Sequence, residues 1–223
     1  MPIWRDVRCV LFDLDGTLVD SAHDLGQAAD RMRVDRGLPA LSPAAYRASA
    51  GSGARGMLRV AFDLAPEDAL YDAYRDEFLT RYEQQMLVHT RPFAGVERLV
   101  ERLAELGVVW GVVTNKHRRF TDPLTAALPC FAGARAIVSG DTTAHMKPHP
   151  APLIEAMRRI DVSPAHCVYV GDDERDMQAG RAAGVRTVAA RYGYLGADAR
   201  VDGWAADAAI DRPIELLKWL ESA

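Results

Sequence analysis

Five short apolar runs, each followed by a stretch of helical periodicity, constrain this chain more than any other feature. Residues 7–13 (VRCVLFD), 108–114 (VVWGVVT), 136–139 (AIVS), 167–171 (CVYVG) and 185–189 (VRTVA) are almost continuously apolar. A strand buried on both faces reads this way. Residues 208–211 form a weaker sixth candidate. In the intervening segment AGVERLVERLAELG, Val96, Leu99, Val100, Leu103 and Leu106 share one face, and Gly107 supplies the stop. Residues 173–183 read as a helix stopped by Gly184, and Asp211 with Pro213 opens a last helix that turns Ile214, Leu217 and Leu220 inward. Alternating strands and helices predict an α/β fold, a doubly wound sheet that is parallel apart from any edge strand.

The first two runs are too far apart for that scheme alone. About 95 residues separate them, where one crossover helix needs far fewer. The excess is helical. Leu25, Ala28, Ala29 and Met32 mark one amphipathic segment, and Met57, Leu58, Ala61, Phe62 and Leu64 another. Leu70, Tyr74, Phe78, Tyr82 and Met86 form a stripe at four-residue steps, which reads as core rather than as a cofactor surface. The expected organisation is a core of residues 1–20 and 92–223, with residues 21–91 as a helical subdomain inserted after the first strand.

Composition narrows the class. With 223 residues, 49% of them hydrophobic and 26% charged, the chain can bury a real core and is not a disordered one. No apolar run approaches the roughly 20 residues of a membrane helix, and MPIWRD at residues 1–6 lacks the apolar stretch of a signal peptide. A net charge of −4 with no Lys/Arg block argues against nucleic acid as a partner. Cys9, Cys130 and Cys167 show no CxxC spacing, and two of them sit inside apolar runs. They read as reduced core residues of a cytoplasmic protein. The expected partner is a small molecule, not nucleic acid or membrane, for a chain that is a monomer or a homodimer.

The sharpest local signal is Asp13-Leu14-Asp15-Gly16-Thr17-Leu18-Val19-Asp20. The first strand runs straight into two acids at alternate positions, at the strand end where open α/β sheets bind ligands. Carboxylates so close repel unless a cation lies between them or one keeps its proton. A second cluster, Gly171-Asp172-Asp173-Glu174-Arg175-Asp176, ends the fourth strand. Acids at a helix start are common for dipole reasons alone, but hard oxygen ligands from two strand ends suit an open Mg²⁺ site. Thr114-Asn115-Lys116 closes the second strand with a hydroxyl and backbone N–H groups suited to phosphate oxygens. Lys147-Pro148 follows the third strand and offers an ammonium to balance acids and phosphate.

DLDGT at residues 13–17, the Thr114-Asn115 pair, Lys147 and GDDERD at residues 171–176, in this order, resemble the four signatures of the haloacid dehalogenase superfamily of phosphotransferases. The resemblance covers essentially the whole chain, with the insertion where the subfamily with a helical C1 cap carries it. It implies a Rossmann-like core with an inserted cap, and a phosphomonoester as substrate. Asp13 would be the nucleophile that takes the phosphoryl group, and Asp15 would protonate the leaving oxygen and then activate water. Mg²⁺ would be held by Asp13, the backbone carbonyl of Asp15 and Asp172, with Asp176 adding a carboxylate behind these ligands or through water. Gly16, Thr114, Asn115 and Lys147 would surround the phosphate. Asp173 stands where many relatives carry serine; it either touches the metal's waters or caps its helix. Within the superfamily, DGTLVDSAHDL, the segment Gly51-Ser52-Gly53-Ala54-Arg55 and TNK resemble the phosphoglycolate phosphatase branch. ADRMRVDRGLPAL, WGVVTNK, VGDDERD and RYGYL also resemble the N-acetylmuramic acid 6-phosphate phosphatases.

Other patterns are weaker. Residues 51–56 fit GxGxxG formally, but residues 43–50 before them read as helical, where a dinucleotide site needs a strand. The segment reads as a turn of the cap that could approach a ligand, with Arg55 either meeting a substrate carboxylate or simply solvated. Pro148 breaks any helix that would align His145 with His149 for zinc. His117 reads as a helix-start residue. A phosphomutase would use the same signatures, though relatives of that kind usually carry Val where this chain has Thr17. A dehalogenase would lack Asp15 and the metal-binding acid.

Overall fold

The computed structural model describes residues 4, 6–196 and 200–220, so the reading of residues 1–6 falls largely outside the described residues. In chain order the elements are β1 (Cys9–Phe12), β2 (Val19–Asp20), α1 (Ala22–Val34), α2 (Pro43–Arg47), α3 (Gly53–Phe62), α4 (Tyr71–Gln85), β3 (Arg91–Pro92), α5 (Val96–Glu105), β4 (Val109–Val113), α6 (Arg118–Ala127), β5 (Ala136–Val138), α7 (Ala151–Ile160), β6 (Cys167–Gly171), α8 (Glu174–Ala182), β7 (Arg186–Ala190), β8 (Ala208–Ile210) and α9 (Leu217–Leu220). They divide into two compact units, Asp20–Arg91 and the chain on either side of it.

In the larger unit, six strands form one sheet in the order β5-β4-β1-β6-β7-β8, and every neighbouring pair is parallel, the edge strand β8 included. Strand side chains alternate between faces. Val10, Phe12, Trp110, Val112, Val168, Val170 and Val188 therefore pack on one face with Val96, Leu99 and Leu103 of α5. Cys9, Leu11, Val113, Cys167 and Tyr169 pack on the other with α7 and α8 through Leu153, Ala156, Met157 and Ala179. Phe12 meets Trp110 edge to face at 6.2 Å, and truncating a ring so placed costs about 3–5 kcal/mol. Cys9 and Cys167 are buried free thiols on adjacent strands, and the hydrogen bond with Cys9, reinforced by burial, pushes the Cys167 thiol up.

Strand register sets the height of the functional residues. Phe12 lies level with Val112 on one side and Val170 on the other. Asp13, Thr114 and Asp172 thus leave three adjacent strand ends within a residue of the same height. The chain runs from β1 out to β5 and then returns to the far side of β1 for β6, so the topological switch point falls at β1 itself.

Helix ends follow the sequence closely. Gly107 and Gly184 adopt φ of 70° and 75° after α5 and α8. The last helix differs. Residues Pro213–Leu216 form a 3₁₀ turn before α9, which advances about 120° per residue rather than 100°. That rotation buries Leu216, Leu217 and Trp219, and leaves Ile214 and Leu220 at the margin of the core.

The smaller unit is the helical insert, α1–α4. Leu25, Ala28, Ala29 and Met32 are buried along α1. Gly26 lets α1 approach α2 closely, since a Cβ there would stand 2.9 Å from the Tyr46 Cβ. On α4 the four-residue stripe only partly faces inward. Each step of four overshoots a whole turn by 40°, so Phe78, Tyr82 and Met86 are buried and Leu70 rotates out to 57% exposure, with Tyr71 taking its place. Among the described residues no helix is long and apolar enough to cross a membrane.

Candidate active site

Asp13 closes β1. Its N–H donates to Val170 O at 2.9 Å, extending the parallel ladder one residue past the strand. Its Oδ1 accepts from the Leu14 N–H at 2.7 Å and lies 2.9 Å from Lys147 Nζ. Two donors on one oxygen stop the carboxylate from rotating. Lys147 Nζ also lies 2.7 Å from Asp176 Oδ1, 2.8 Å from Tyr169 Oη and 3.0 Å from Val113 O, so that four acceptors share its three N–H groups. Asn115 fixes the lysine's backbone reciprocally, donating from Nδ2 to Lys147 O and accepting from Lys147 N, both at 2.9 Å. A side chain at the end of β4 thereby holds the loop after β5 against the sheet.

Asp172 and Asp176 come from β6 and α8. Asp172 Oδ1 accepts from Thr17 Oγ1 at 2.9 Å and Oδ2 from the Tyr194 N–H at 2.8 Å. Gly16 and Gly193 leave room for it: a Cβ on Gly16 would lie 2.1 Å from Asp172 Oδ2, and one on Gly193 would lie 2.2 Å from Asp172 Cβ. Asp176 Oδ2 accepts from the Asp173 N–H at 3.1 Å, completing a capping box with Asp173 at the N-cap. Asp173 itself accepts from the Arg175 backbone N–H at 2.9 Å and from its guanidinium at 2.8 Å. Burial works to raise the Asp173 carboxyl, but Arg175 outweighs it and holds it below the ordinary value. Of its two possible roles, the helix cap is the one the structure displays.

Electrostatics show what the cluster lacks. Ligand oxygens of Asp13, Asp172 and Asp176 lie within 4.8 Å of one another. Burial, reinforced by the charge of Asp176 and opposed by Lys147, pushes Asp13 up to about 6. Asp172 is raised well above the ordinary carboxylate range by burial and by its two acidic neighbours, which Tyr194 and Thr17 only partly offset. Lys147 is held charged: burial disfavours the ammonium, but Asp13 and Asp176 outweigh it. One ammonium cannot satisfy three acids, two of them buried and Asp13 half-buried. Adding the Asp15–Lys116 pair, whose shortest contact is 3.1 Å, leaves four carboxylates against two ammoniums. The deficit of two positive charges, among hard oxygen donors, fits a divalent cation.

The structure brings Asp13, Asp15, Gly16, Thr114, Asn115, Lys147, Asp172 and Asp176 to the ends of β1, β4, β5 and β6. Arg55 belongs to the other unit, exposed in the first turn of α3, with no ion-pair partner among the described residues. Sequence reasoning missed three contributors. Lys116 pairs with Asp15, Tyr169 links Lys147 to Asp176, and Thr17 holds Asp172. Lys116 had a visible signal as the third residue of a strand-end TNK, and Thr17 as the last residue of DLDGT; Tyr169 had none. His117 caps α6, its Nδ1 accepting from the Arg119 N–H at 3.1 Å. The glycine-rich segment 51–56 opens α3 with no strand before it.

A half-buried strand-end acid with its lysine, a hydroxyl and paired acids on the neighbouring strands suits a class of hydrolase that acts on phosphoryl groups, and comparison with known proteins points to the same class. Residues 10–190 match the family described as haloacid dehalogenase-like hydrolase. Similar proteins include an N-acetylmuramic acid 6-phosphate phosphatase of Pseudomonas putida, 40% identical over 97% of this chain and 97% of the relative. A phosphoglycolate phosphatase of Xanthomonas campestris pv. campestris is 44% identical over 95% and 96%. The crystal structure of a predicted phosphoglycolate phosphatase from Haemophilus somnus 129pt superposes with a TM-score of 0.83 at 26% identity, covering 96% of this chain and 97% of that one. The chain belongs to the haloacid dehalogenase-like hydrolase family, as one of its phosphatases.

Proposed function

We propose that the chain is a Mg²⁺-dependent phosphomonoester hydrolase that works through an aspartyl phosphate on Asp13, with a phosphoglycolate-like metabolite as its substrate. The observation that carries this reading is the Asp13–Lys147–Asp176 arrangement, in which the nucleophile is locked by an ammonium and surrounded by a charge deficit of the size of Mg²⁺.

Asp13, the Asp15 carbonyl and Asp172 would hold the cation, with Asp176 reached through water, because Asp176 Oδ1 already accepts from the Lys147 ammonium and from Tyr169, and its Oδ2 from the Asp173 N–H, whereas each Asp172 oxygen accepts one neutral hydrogen bond. When bound, Mg²⁺ supplies charge neutralisation to the phosphoryl oxygens. The protein's own residues do the rest. Asp13 attacks phosphorus while the ester oxygen leaves, and Asp15 gives that oxygen a proton. Asp15, now ionised, takes a proton from the water that cleaves the aspartyl phosphate, which restores both acids and releases phosphate. Thr114 and the Asn115 N–H bind phosphoryl oxygens, and Lys147 keeps Asp13 aligned. These groups act on the phosphoryl moiety alone, so selection of the remainder of the substrate falls to other residues.

N-acetylmuramic acid 6-phosphate is a second reading, supported by the 40% identity of the Pseudomonas putida relative over nearly its full length. Phosphate release from phosphoglycolate, N-acetylmuramate 6-phosphate, sugar phosphates and an aryl phosphate, with and without Mg²⁺, tests both. A preference for either carboxylated ester supports its reading, and activity confined to other esters overturns both. Asp13→Asn is expected to fold and to be inactive, since the amide cannot attack phosphorus and Lys147 keeps Asp176 as a partner. Substantial turnover by that variant would refute the covalent route.

A further inference from the structure

Two exposed histidines from opposite ends of the insert meet within it. His23 is the second residue of α1, and His89 lies two residues before β3. Their rings stand 4.0 Å apart, tilted by 58°. Among the described residues neither imidazole has a hydrogen-bond or ionic partner. Exposed histidines usually diverge into solvent, and here a buried carboxylate prevents that. Asp24, fully buried, accepts from the His89 N–H at 3.0 Å on each oxygen. Its Oδ2 also accepts from the Thr90 N–H at 2.8 Å and from Thr90 Oγ1 at 2.9 Å. Gln85 Nε2 donates to the Asp24 carbonyl at 3.1 Å. The backbones that carry the two rings are therefore fastened to one another before any ligand arrives, while the rings remain free to rotate.

We propose that His23, His89 and Asp24 form a second cation site, selective for a borderline transition ion of the Zn²⁺ type. Atoms of all three side chains that can ligate lie within 4.8 Å of one another. Tetrahedral Zn²⁺ with bonds of about 2.0–2.1 Å to nitrogen needs its ligand atoms about 3.3 Å apart, a closure that rotation of two exposed imidazoles supplies. Asp24 Oδ1 accepts a single hydrogen bond, against three on Oδ2, and so retains a lone pair for the ion. The fourth position is left to water. Imidazole nitrogens select Zn²⁺ over Mg²⁺, whereas the carboxylates at the strand ends favour Mg²⁺, so the two sites differ in the metal they take. A bound ion would clip residue 23 to residue 89, the entry and exit of the insert.

The other histidine pair is less suited. His145 and His149 approach to 4.4 Å, but His149 Nδ1 already accepts from the Ala151 N–H at 3.1 Å, and no carboxylate joins them in a ligand group among the described residues.

The test is calorimetric titration of the untagged full-length protein with ZnCl₂ in saturating Mg²⁺. One Zn²⁺ per chain is expected, with an affinity insensitive to further Mg²⁺. His23→Ala and His89→Ala should each weaken it by more than about tenfold, the least expected for a direct ligand when even an outer partner is worth 10–100-fold. His149→Ala should leave it unchanged. Both rings are exposed, so neither substitution endangers the core. Wild-type zinc affinity in His23→Ala and His89→Ala, loss in His149→Ala alone, or displacement of Zn²⁺ by Mg²⁺ would each overturn the proposal.

Discussion

Lys116 and Asp15 form a two-point ion pair, with Nζ 3.1 Å from Oδ1 and 3.2 Å from Oδ2, both side chains largely removed from water. Lys116 comes directly after the residues proposed to hold phosphate, and Asp15 is the proposed proton donor. The pair thus couples the orientation of the acid to the end of β4. Lys116→Met removes the ammonium and keeps most of the stem. It is expected to lower kcat on an alkyl phosphate by about 10–10²-fold, part of the roughly 10²–10⁴-fold that a general acid contributes. An activated aryl phosphate needs little protonation and should be spared. Steady-state kinetics on both esters checks this, and an equal loss on the two would make Lys116 a phosphate-binding or structural residue.

Gly16 is confined by two independent requirements. Its φ is +84°, in the region that favours glycine, and its missing Cβ is what admits Asp172 Oδ2. Gly16→Ala is expected to cost at least about 2 kcal/mol, from left-handed strain plus the clash. Thermal unfolding should show a fall of several degrees, and Mg²⁺ affinity should drop with it because Asp172 is the residue displaced. A variant with unchanged melting and metal affinity would mean that the loop after β1 yields freely.

The strand-end groups leave the choice of leaving group to residues elsewhere, and in the insert Arg55 is exposed and without an ion-pair partner among the described residues. Both favoured substrates carry a carboxylate that a guanidinium can pair with in bidentate fashion. Arg55→Ala should therefore raise KM for a carboxylated ester by about 10–10²-fold, the worth of a charge-assisted hydrogen bond, and leave an aryl phosphate nearly unaffected. Equal losses on both esters would point to a structural role, and no loss on either to a solvated charge.

The strand ends were legible because an apolar run that stops at an acid has few explanations, as at Asp13 and Asp172. Asp15, Thr114 and Lys147 gained meaning from sharing that address. What stayed hidden depended on geometry that one-dimensional spacing does not carry. Tyr169 sits in the run CVYVG and reads as core, yet strand alternation and its phenol place a hydrogen bond between Lys147 and Asp176. Asp24 looks like an ordinary first-turn acid of α1, and only the return of the chain at residues 89–90 makes it an anchor. Leu70 and Ile214 matched a helical period on paper. The 40° overshoot of four-residue steps moved one off the core, and a 3₁₀ turn moved the other to its edge.

The charge deficit around Asp13 predicts how metal binding and pH are linked. In the metal-free protein burial raises Asp13 to about 6 from an ordinary value of 3.8, so the folded state holds this proton longer than the unfolded chain does. Stability from this group falls as pH rises between about 4 and 6, and above that window the folded protein carries a penalty on the order of 3 kcal/mol. A divalent cation relieves the penalty by favouring the carboxylate and expelling the proton. Mg²⁺ should therefore raise the melting temperature more at pH 7 than at pH 5. Titrations at pH 6 in two buffers of different ionisation enthalpy should report proton release. Asp172, raised by burial and by Asp13 and Asp176, adds to that release, and Lys147 does not, because it stays charged throughout. Equal stabilisation by Mg²⁺ at both pH values, with no protons released, would mean that the cation binds away from Asp13.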